Sequence, residues 1–347
     1  MPASSPNFDD DLWLTRLIAL EREVRDRQVA GQRGAGAPDL EASSRVVRDD
    51  SVDGDSIFAI DVDAEEVLLA HAARWEGEDA GRGVSFTLVA EGLEPASGRR
   101  FGAAEHPSTA RVIVDPIDGT RGLMFDKRSA WSLAAAAPDR AQTTGLGDLR
   151  VAVMTELPTS RQDRCDVLYA VRGRPAEAVR HDLNTGRDTP FALRPSRATD
   201  LRHGFATVCN FFQGGKELTA AIDEELIAEA LGGWVAGKAE VYTDQYISTG
   251  GQFAELALGR DRMVLDLRPL VHVALGHHGT LCARPYDVCT ALVAEAAGCV
   301  ITAPDGAPLE APLDTTTNVG FAAFANRALA ERIGPALARI LARRGLT

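Results

Sequence analysis

Residues 111–122, RVIVDPIDGTRG, hold two carboxylates that a buried strand could present together. An apolar β-type run stops at Asp115, and Asp118 follows three residues later. Pro116 has a fixed φ and no N–H to donate, so we predict a rigid turn that ends the strand. The two carboxylates, with the backbone carbonyl of Ile117 between them, are the oxygen ligands that a hard cation such as Mg²⁺ prefers.

Gly119 and Thr120 continue this stretch with groups that suit an anion. Glycine permits close approach of the backbone, and threonine supplies a hydroxyl. If a helix begins here, its free backbone N–H groups can bind a phosphate. An Asx-type turn that ends a strand and caps a helix would use the same residue types. The hexapeptide alone leaves both interpretations open.

Three further acids occupy similar positions elsewhere in the chain. Asp61 follows the apolar run IFAI, Glu91 follows TLVA, and Asp287 stands in RPYD. If such carboxylates converge in a partly desolvated cleft, they repel one another strongly. Either arginines or a cation must then neutralise them. No cluster of His or Cys accompanies them, so the donor set favours Mg²⁺ or Mn²⁺.

The composition limits the class of partner. The chain has 347 residues and a net charge of −13, which argues against nucleic acid as the main ligand. A bound divalent cation would let such an acidic protein accept an anionic substrate.

The five cysteines form no C-x-x-C pair, and the acidic N-terminus does not resemble a signal peptide. No apolar run is long enough to span a bilayer, so we expect a cytoplasmic protein.

The hydrophobic patterns divide the chain into two parts. Helical periodicity at residues 8–30 and 64–76, with several strand signals up to residue 196, predicts a largely antiparallel sheet with helices. The glycine-rich residues 31–40 are predicted to be a surface linker, with a flap over a site as the alternative. Strands and helices alternate more regularly afterwards. We therefore predict an α+β subdomain at 1–196 with most metal ligands, and an α/β subdomain at 197–347 with Asp287 and the substrate pocket.

Four motifs in order resemble those of the inositol monophosphatase family, whose superfamily includes fructose-1,6-bisphosphatases and 3′-phosphoadenosine-5′-phosphate phosphatases. They are FAIDVDAEE around Asp61, the strand end at Glu91, DPIDGT, and PYDVCTALVAEAAGCVI at 285–301. The resemblance implies a layered α/β/α/β/α sandwich and Mg²⁺-dependent hydrolysis of phosphomonoesters, inhibited by Li⁺. This chain departs from the family pattern in lacking the threonine before Asp61 and in having Gly92 after Glu91.

The resemblance also implies which residues hold metal ions. Glu91, Asp115 and the carbonyl of Ile117 match the ligands of a first ion. Asp115, Asp118 and Asp287 match the ligands of a second. Two or three Mg²⁺ ions are expected, with Mn²⁺ as an alternative.

Catalytic and phosphate-binding roles follow from the same resemblance. Asp61 and Thr120 match the pair that orients and deprotonates the attacking water, and Glu91 is counted with them as catalytic. The backbone N–H groups of Gly119 and Thr120 match the phosphate cradle. The implied partner is a small phosphate monoester, with no nucleic acid polymer and no membrane, and a homodimer is an option.

The substrate itself stays open. Gly250, Gly251 and Asp266 fall near the substrate-contact segment of the family, and residues 271–284 form a longer connection than usual. An inositol or sugar phosphate is the first expectation. A 3′-phosphonucleotide or fructose bisphosphate is the alternative, and a non-catalytic binding relative comes after these. Within residues 271–284, His277 and His278 could bind a metal, although a solvated pair of histidines is the commoner case.

Overall fold

The computed structural model describes residues 8–34, 46–49, 56–79, 85–277 and 281–346. Residues 31–34 continue the first helix, so this helix runs further than the sequence predicts. The rest of the predicted linker at 35–40 lies outside the described residues, as does His278.

The chain combines helices with strands, as layered α/β proteins do. The helices are α1 (Asp10–Gly34), α2 (Ala59–Asp79), α3 (Thr120–Met124), α4 (Lys216–Leu231), α5 (Thr249–Ala257), α6 (Arg268–Ala274), α7 (Pro285–Val288), α8 (Ala291–Ala297) and α9 (Arg327–Arg343). The motif that begins at residue 285 contains two helices, α7 and α8, separated by a turn at Cys289 and Thr290.

The strands form two large sheets and one small hairpin. They are β1 (Val46–Asp49), β2 (Ser56–Phe58), β3 (Ser85–Ala90), β4 (Arg99–Phe101), β5 (Ser108–Asp118), β6 (Ala130–Pro138), β7 (Val151–Leu157), β8 (Arg164–Val171), β9 (Glu177–Asp182), β10 (Asp188–Phe191), β11 (Gly204–Val208), β12 (Val241–Tyr242), β13 (Asp261–Asp266), β14 (Val300–Thr302) and β15 (Phe321–Phe324).

The first sheet has the strand order β10-β9-β8-β7-β6-β5-β3-β4. Its neighbours pair antiparallel except β3 and β5, which pair parallel. The second sheet has the order β12-β11-β13-β15-β14, with β11 parallel to both of its neighbours. The largely antiparallel arrangement predicted for the first half of the chain is thus present.

The elements stack in five layers. Helices α1 and α2 cover one face of the first sheet, and α5, α7 and α8 lie between the two sheets. Helices α4 and α9 cover the outer face of the second sheet. This arrangement confirms the predicted α/β/α/β/α sandwich.

One hydrophobic core joins the two sheets. Ile113 of β5 and Phe321 of β15 belong to the same buried cluster, together with Phe253 of α5 between them. Trp131 is also buried in this cluster, whereas Trp234 is 55% exposed. The boundary at residue 196 stays a prediction, since both halves share this core.

No helix within the described ranges is long and apolar enough to cross a membrane.

Helix α1 packs on β6 and β7 through an apolar stripe at helical spacing. The stripe consists of Trp13, Leu17, Leu20 and Val24. Glu21 interrupts it and is completely buried. Neither of its carboxyl oxygens makes a hydrogen bond to a described residue.

Burial sets the protonation of Glu21. Removal from water raises the pKa of this carboxyl well above its usual value, and the nearby Thr155 hydroxyl and Ala134 backbone offset only part of that rise. The folded protein therefore binds a proton at Glu21 over a pH range in which the unfolded chain has released it. Over that range, stability falls as pH rises.

We expect Glu21→Gln to remove this part of the pH dependence. The variant should match the parent protein near pH 5 and exceed it at pH 8 by about 1–3 kcal/mol in the free energy of unfolding, because no buried charge has to form. Urea unfolding at both pH values measures the difference. Glu331→Gln, at an exposed position of α9, is the control. A difference that does not grow with pH would contradict this account.

Candidate active site

A β-bulge in β5 brings the two acids of the DPID sequence to one side of the sheet. Asp115 pairs with Leu133 of β6 and Asp118 with Trp131, so β5 uses one more residue than its partner over this interval. Side chains of a regular strand alternate between faces, and acids three residues apart would then point to opposite sides. The extra residue in β5 turns the side chain of Asp118 to the same side of the sheet as that of Asp115. The predicted strand-ending turn is therefore wrong, because the strand continues to Asp118.

Three carboxylates meet at this bulge. Asp115, Asp118 and Asp287 each offer one oxygen, and these oxygens lie within 4.8 Å of one another. Asp115 is 2% exposed and Asp118 is 6% exposed. The structure thus brings Asp287 next to two acids that precede it by 169 and 172 positions in the chain.

The electrostatics of this carboxylate cluster are unfavourable without a counter-charge. Burial, followed by the charges of Asp118 and Asp287, raises the pKa of Asp115 well above its usual value. Burial also raises the pKa of Asp118, to about 6, although three hydrogen bonds counteract it. A cation among these oxygens would remove the repulsion.

The N-terminus of α5 holds Asp118 in place. The backbone N–H groups of Gly250 and Thr249 donate to its two oxygens at 2.6 and 3.2 Å, and the Ser248 hydroxyl donates at 2.9 Å. Ser248 also caps α5 by accepting from the N–H of Gly251 at 2.9 Å. A carboxylate at a helix N-terminus is favourable, so α5 stabilises the ionised acid.

Asp287 comes from the short helix α7. One of its oxygens accepts the backbone N–H of Arg284 at 2.6 Å, which caps the first turn of this helix. The Arg284 side chain is buried and donates to Asn318 and to the backbone carbonyl of Thr316. The guanidinium therefore supports the turn that carries Asp287.

Asp61 and Thr120 form a hydrogen-bonded pair beside the cluster. The Thr120 hydroxyl lies 3.1 Å from an Asp61 oxygen and 2.8 Å from the Ile117 carbonyl. The other Asp61 oxygen accepts the backbone N–H of Phe58 at 2.8 Å. Asp61 lies in the first turn of α2 and not at the end of an extended segment as predicted, because β2 ends at Phe58.

Gly119 occupies a position that other residues would strain. Its φ is +98°, and a Cβ atom there would lie 2.9 Å from the Ser248 Cβ and 3.0 Å from the Ile247 carbonyl oxygen. The glycine thus lets the α5 side of the site approach the bulge closely. Helix α3 begins at the next residue, Thr120.

A cleft opens above the cluster and includes Glu91. This residue follows β3, and its backbone N–H donates to the Val114 carbonyl at 3.2 Å. Glu91 borders the same cleft as Asp115, but it is not part of the three-carboxylate group.

The other walls of the cleft contain residues that sequence analysis missed. Phe211 and Phe212 are edge-to-face at 4.9 Å between ring centroids. The guanidinium of Arg268 lies 4.5 Å from the Phe211 ring centroid, and that of Arg121 lies 5.2 Å from the Phe212 centroid. These contacts join distant parts of the chain, and no local pattern in the sequence indicates them.

The three predicted substrate residues do not line the cleft. Asp266 is fully buried and binds the Arg268 guanidinium at 2.5 to 3.1 Å. Gly250 supports Asp118, and Gly251 completes the cap of α5. Asp266, Gly250 and Gly251 therefore hold residues of the cleft wall in place without lining the cleft themselves.

The donor set fits a hard divalent cation. Three converging carboxylates, the Ile117 carbonyl and the nearby Glu91 are all oxygen donors, and Asp115 forms no salt bridge with any residue that the structure describes. Such a site suits Mg²⁺ or Mn²⁺ better than a metal that prefers nitrogen or sulfur.

Comparison with known proteins places this geometry in context. Neither the protein-family models nor the curated proteins include a match. Among solved structures, a fructose-1,6-bisphosphatase from Leishmania major has a TM-score of 0.66 at 12% identity, covering 97% of this chain and 96% of that chain. The extragenic suppressor protein suhB from Bartonella henselae has a TM-score of 0.60 at 16% identity, covering 95% and 98%.

A hypothetical protein from Pyrococcus horikoshii, described as having similarities to inositol-1 monophosphatase, gives a TM-score of 0.59 at 17% identity over 94% and 98% of the two chains. The chain has the inositol monophosphatase and fructose-1,6-bisphosphatase fold. This confirms the resemblance at the level of fold. At these identities the inositol monophosphatase fold says nothing about which substrate this chain takes.

Gly250→Ala tests the contact between α5 and the bulge. The new Cβ would lie 2.3 Å from Leu133 Cδ2 and 3.1 Å from an Asp118 oxygen, so α5 must move away. We expect the free energy of unfolding to fall by about 1–3 kcal/mol and Mg²⁺ binding to weaken, measured by urea unfolding and calorimetry. The control Gly334→Ala, which has open space around it in α9, should leave Mg²⁺ binding unchanged. Unaltered Mg²⁺ affinity in Gly250→Ala would refute the supporting role.

Proposed function

We propose that the protein is a Mg²⁺-dependent phosphomonoesterase that hydrolyses a small phosphorylated metabolite. The observation that carries this proposal is the convergence of three buried carboxylates within 4.8 Å, next to the hydrogen-bonded pair Asp61 and Thr120. Hydrolysis of a phosphate ester needs charge neutralisation on the phosphate and a group that positions water. The cleft offers both in one place.

The proposed ion site uses Asp115, Asp118 and Asp287, with Glu91 and the Ile117 carbonyl on the Asp115 side. A bound Mg²⁺, or Mn²⁺ in its place, would polarise the phosphate and neutralise its charge. The proposal includes the binding of two or three ions in the cleft and the inhibition of phosphate release by Li⁺.

The chain's own residues supply the rest of the reaction. The Asp61 carboxylate is fixed by the Phe58 N–H and the Thr120 hydroxyl, so it can hold a water molecule and accept its proton. Gly119 and Thr120 stand at the start of α3, and we assign the phosphate to their backbone N–H groups.

The leaving alcohol would face the wall formed by the two phenylalanines and two arginines. An inositol or sugar phosphate is our first candidate. Phe211 and Phe212 are partly exposed in the cleft and favour a second candidate, a 3′-phosphonucleotide, because a base can stack on aromatic rings. A phosphate-release screen over inositol, sugar and nucleotide monophosphates separates the two.

Asp115→Asn tests the catalytic assignment. We expect phosphate release at millimolar Mg²⁺ to fall by about 10²-fold or more, since the variant loses a buried charge at the reacting centre. When both proteins are free of metal, the variant should unfold at the same or a higher temperature than the parent protein, because the repulsion with Asp118 and Asp287 is gone. Phosphate assays and thermal unfolding measure the two effects separately.

Asp305→Asn, at an exposed turn, is the matched control and should leave both properties unchanged. Near-normal turnover in Asp115→Asn would refute the site assignment. If the folded parent protein releases no phosphate from any monoester, the enzymatic proposal fails, and a non-catalytic binding role becomes the better description.

A further inference from the structure

A second cluster of metal-binding side chains lies outside the carboxylate cluster. His272 belongs to α6 and is 4% exposed. Its Nδ1 atom is buried and has no hydrogen-bond partner among the described residues. A buried polar atom without a partner is costly, so this nitrogen is a candidate for a missing ligand.

His277 faces the same point as His272. The backbone N–H of His277 donates to the His272 carbonyl at 2.9 Å, and the two ring centroids are 5.8 Å apart. The position that a Cβ on Gly214 would occupy lies 3.4 Å from Nδ1 of His277 and 3.7 Å from Nδ1 of His272. The two nitrogens therefore converge on one small gap, which is open because residue 214 has no side chain.

The glycines before α4 create this gap. Gly214 and Gly215 both have positive φ, at +89° and +80°. A Cβ on Gly215 would lie 2.3 Å from Val271 Cγ1, so only glycine lets α6 pack this closely against the start of α4. This close packing holds His272 against Gly214.

The chemistry of the pair differs from that of the carboxylates. Burial, and then the neighbouring His277 and Arg268, lower the pKa of His272, which keeps the imidazole neutral and its lone pair available near pH 7. The Arg268 charge is balanced by its buried pairing with Asp266. Neutral imidazole nitrogens suit Zn²⁺, Cu²⁺ and Ni²⁺, whereas Mg²⁺ prefers oxygen.

We propose that His272 and His277 form a binding site for a divalent transition-metal ion such as Zn²⁺, separate from the carboxylate cluster. The two Nδ1 atoms are the protein ligands, and water completes the coordination. His277 is exposed, so its ring can swing aside to admit the ion to the buried nitrogen of His272. The sequence pointed to His277 with its neighbour His278, whereas the structure pairs it with His272.

The location gives the site a structural consequence. Helix α6 begins at Arg268, whose guanidinium lines the cleft and donates to the Leu281 carbonyl at 3.2 Å. An ion held by His272 and His277 would join α6 to the residues that follow it, next to Gly214 in the loop before α4. It would thereby restrain the C-terminal end of the helix whose first residue, Arg268, lines the cleft.

Nitrogen coordination provides a direct test. The full chain is saturated with millimolar Mg²⁺, and one equivalent of Cu²⁺ is added as the probe. We expect the electron paramagnetic resonance spectrum to show hyperfine splitting from imidazole nitrogen, and Zn²⁺ to displace the Cu²⁺. A spectrum of all-oxygen coordination at one equivalent would overturn the proposal.

Variants identify the ligands. Calorimetric titration with Zn²⁺ should show affinity at least about tenfold weaker in His277→Gln and His272→Gln, because each loses one of two protein ligands. Gly214→Ala keeps both histidines but fills the gap, and should weaken Zn²⁺ binding similarly. Gly214→Ala keeps the test valid if the His272 variant folds poorly.

The exposed His203 offers a matched control, and His203→Gln should bind Zn²⁺ as the parent protein does. Unchanged affinity in both His277→Gln and Gly214→Ala would overturn the site. A loss confined to His278→Gln would overturn the assignment to His272.

Discussion

Mutual repulsion among three buried carboxylates is the constraint around which the site is built. Asp115, Asp118 and Asp287 stay close only because other groups favour their ionised forms or because a cation joins them. The protein supplies backbone N–H groups to each acid, from Ile117, from the first turn of α5 and from Arg284. These donors are fixed by secondary structure, so they cannot move away when the charges form.

The same donors connect the two sheets. Asp118 belongs to the first sheet, while its partners Ser248 and Gly250 begin the helix that lies between the sheets. The edge-to-face rings of Phe211 and Phe212, with the guanidiniums over them, join α3 to α6 in a similar way. The carboxylates that we propose as ion ligands and the groups that hold the two sheets together are therefore in direct contact, and neither set can change without affecting the other.

The acids themselves could be predicted from the sequence, because Asp115, Asp118 and Asp287 stand in short patterns of Pro, Gly and apolar residues that restrict the backbone. The layer order followed from the resemblance to the inositol monophosphatase family, whereas the alternation of strands and helices indicated only two parts of the chain. The bulge could not be predicted, since it depends on how β5 pairs with β6. Arg268 was missed for a related reason: its partner Asp266 is a local neighbour, but the rings that orient it come from the far side of the cleft.

The bulge also determines which kinds of change the site can absorb. Between Asp115 and Asp118 the number of residues matters more than the identity of each intervening side chain, because two intervening residues put both acids on one side of the sheet only when the bulge is present. Substitution of Ile117 by another apolar residue would keep this count and the carbonyl. Deletion of a single residue would restore regular pairing with both acids still on one side, but it would remove the bulge and one of the two residues that lie between the acids. Length changes in this stretch therefore alter the spacing of the carboxylates, whereas changes of residue type leave it unchanged.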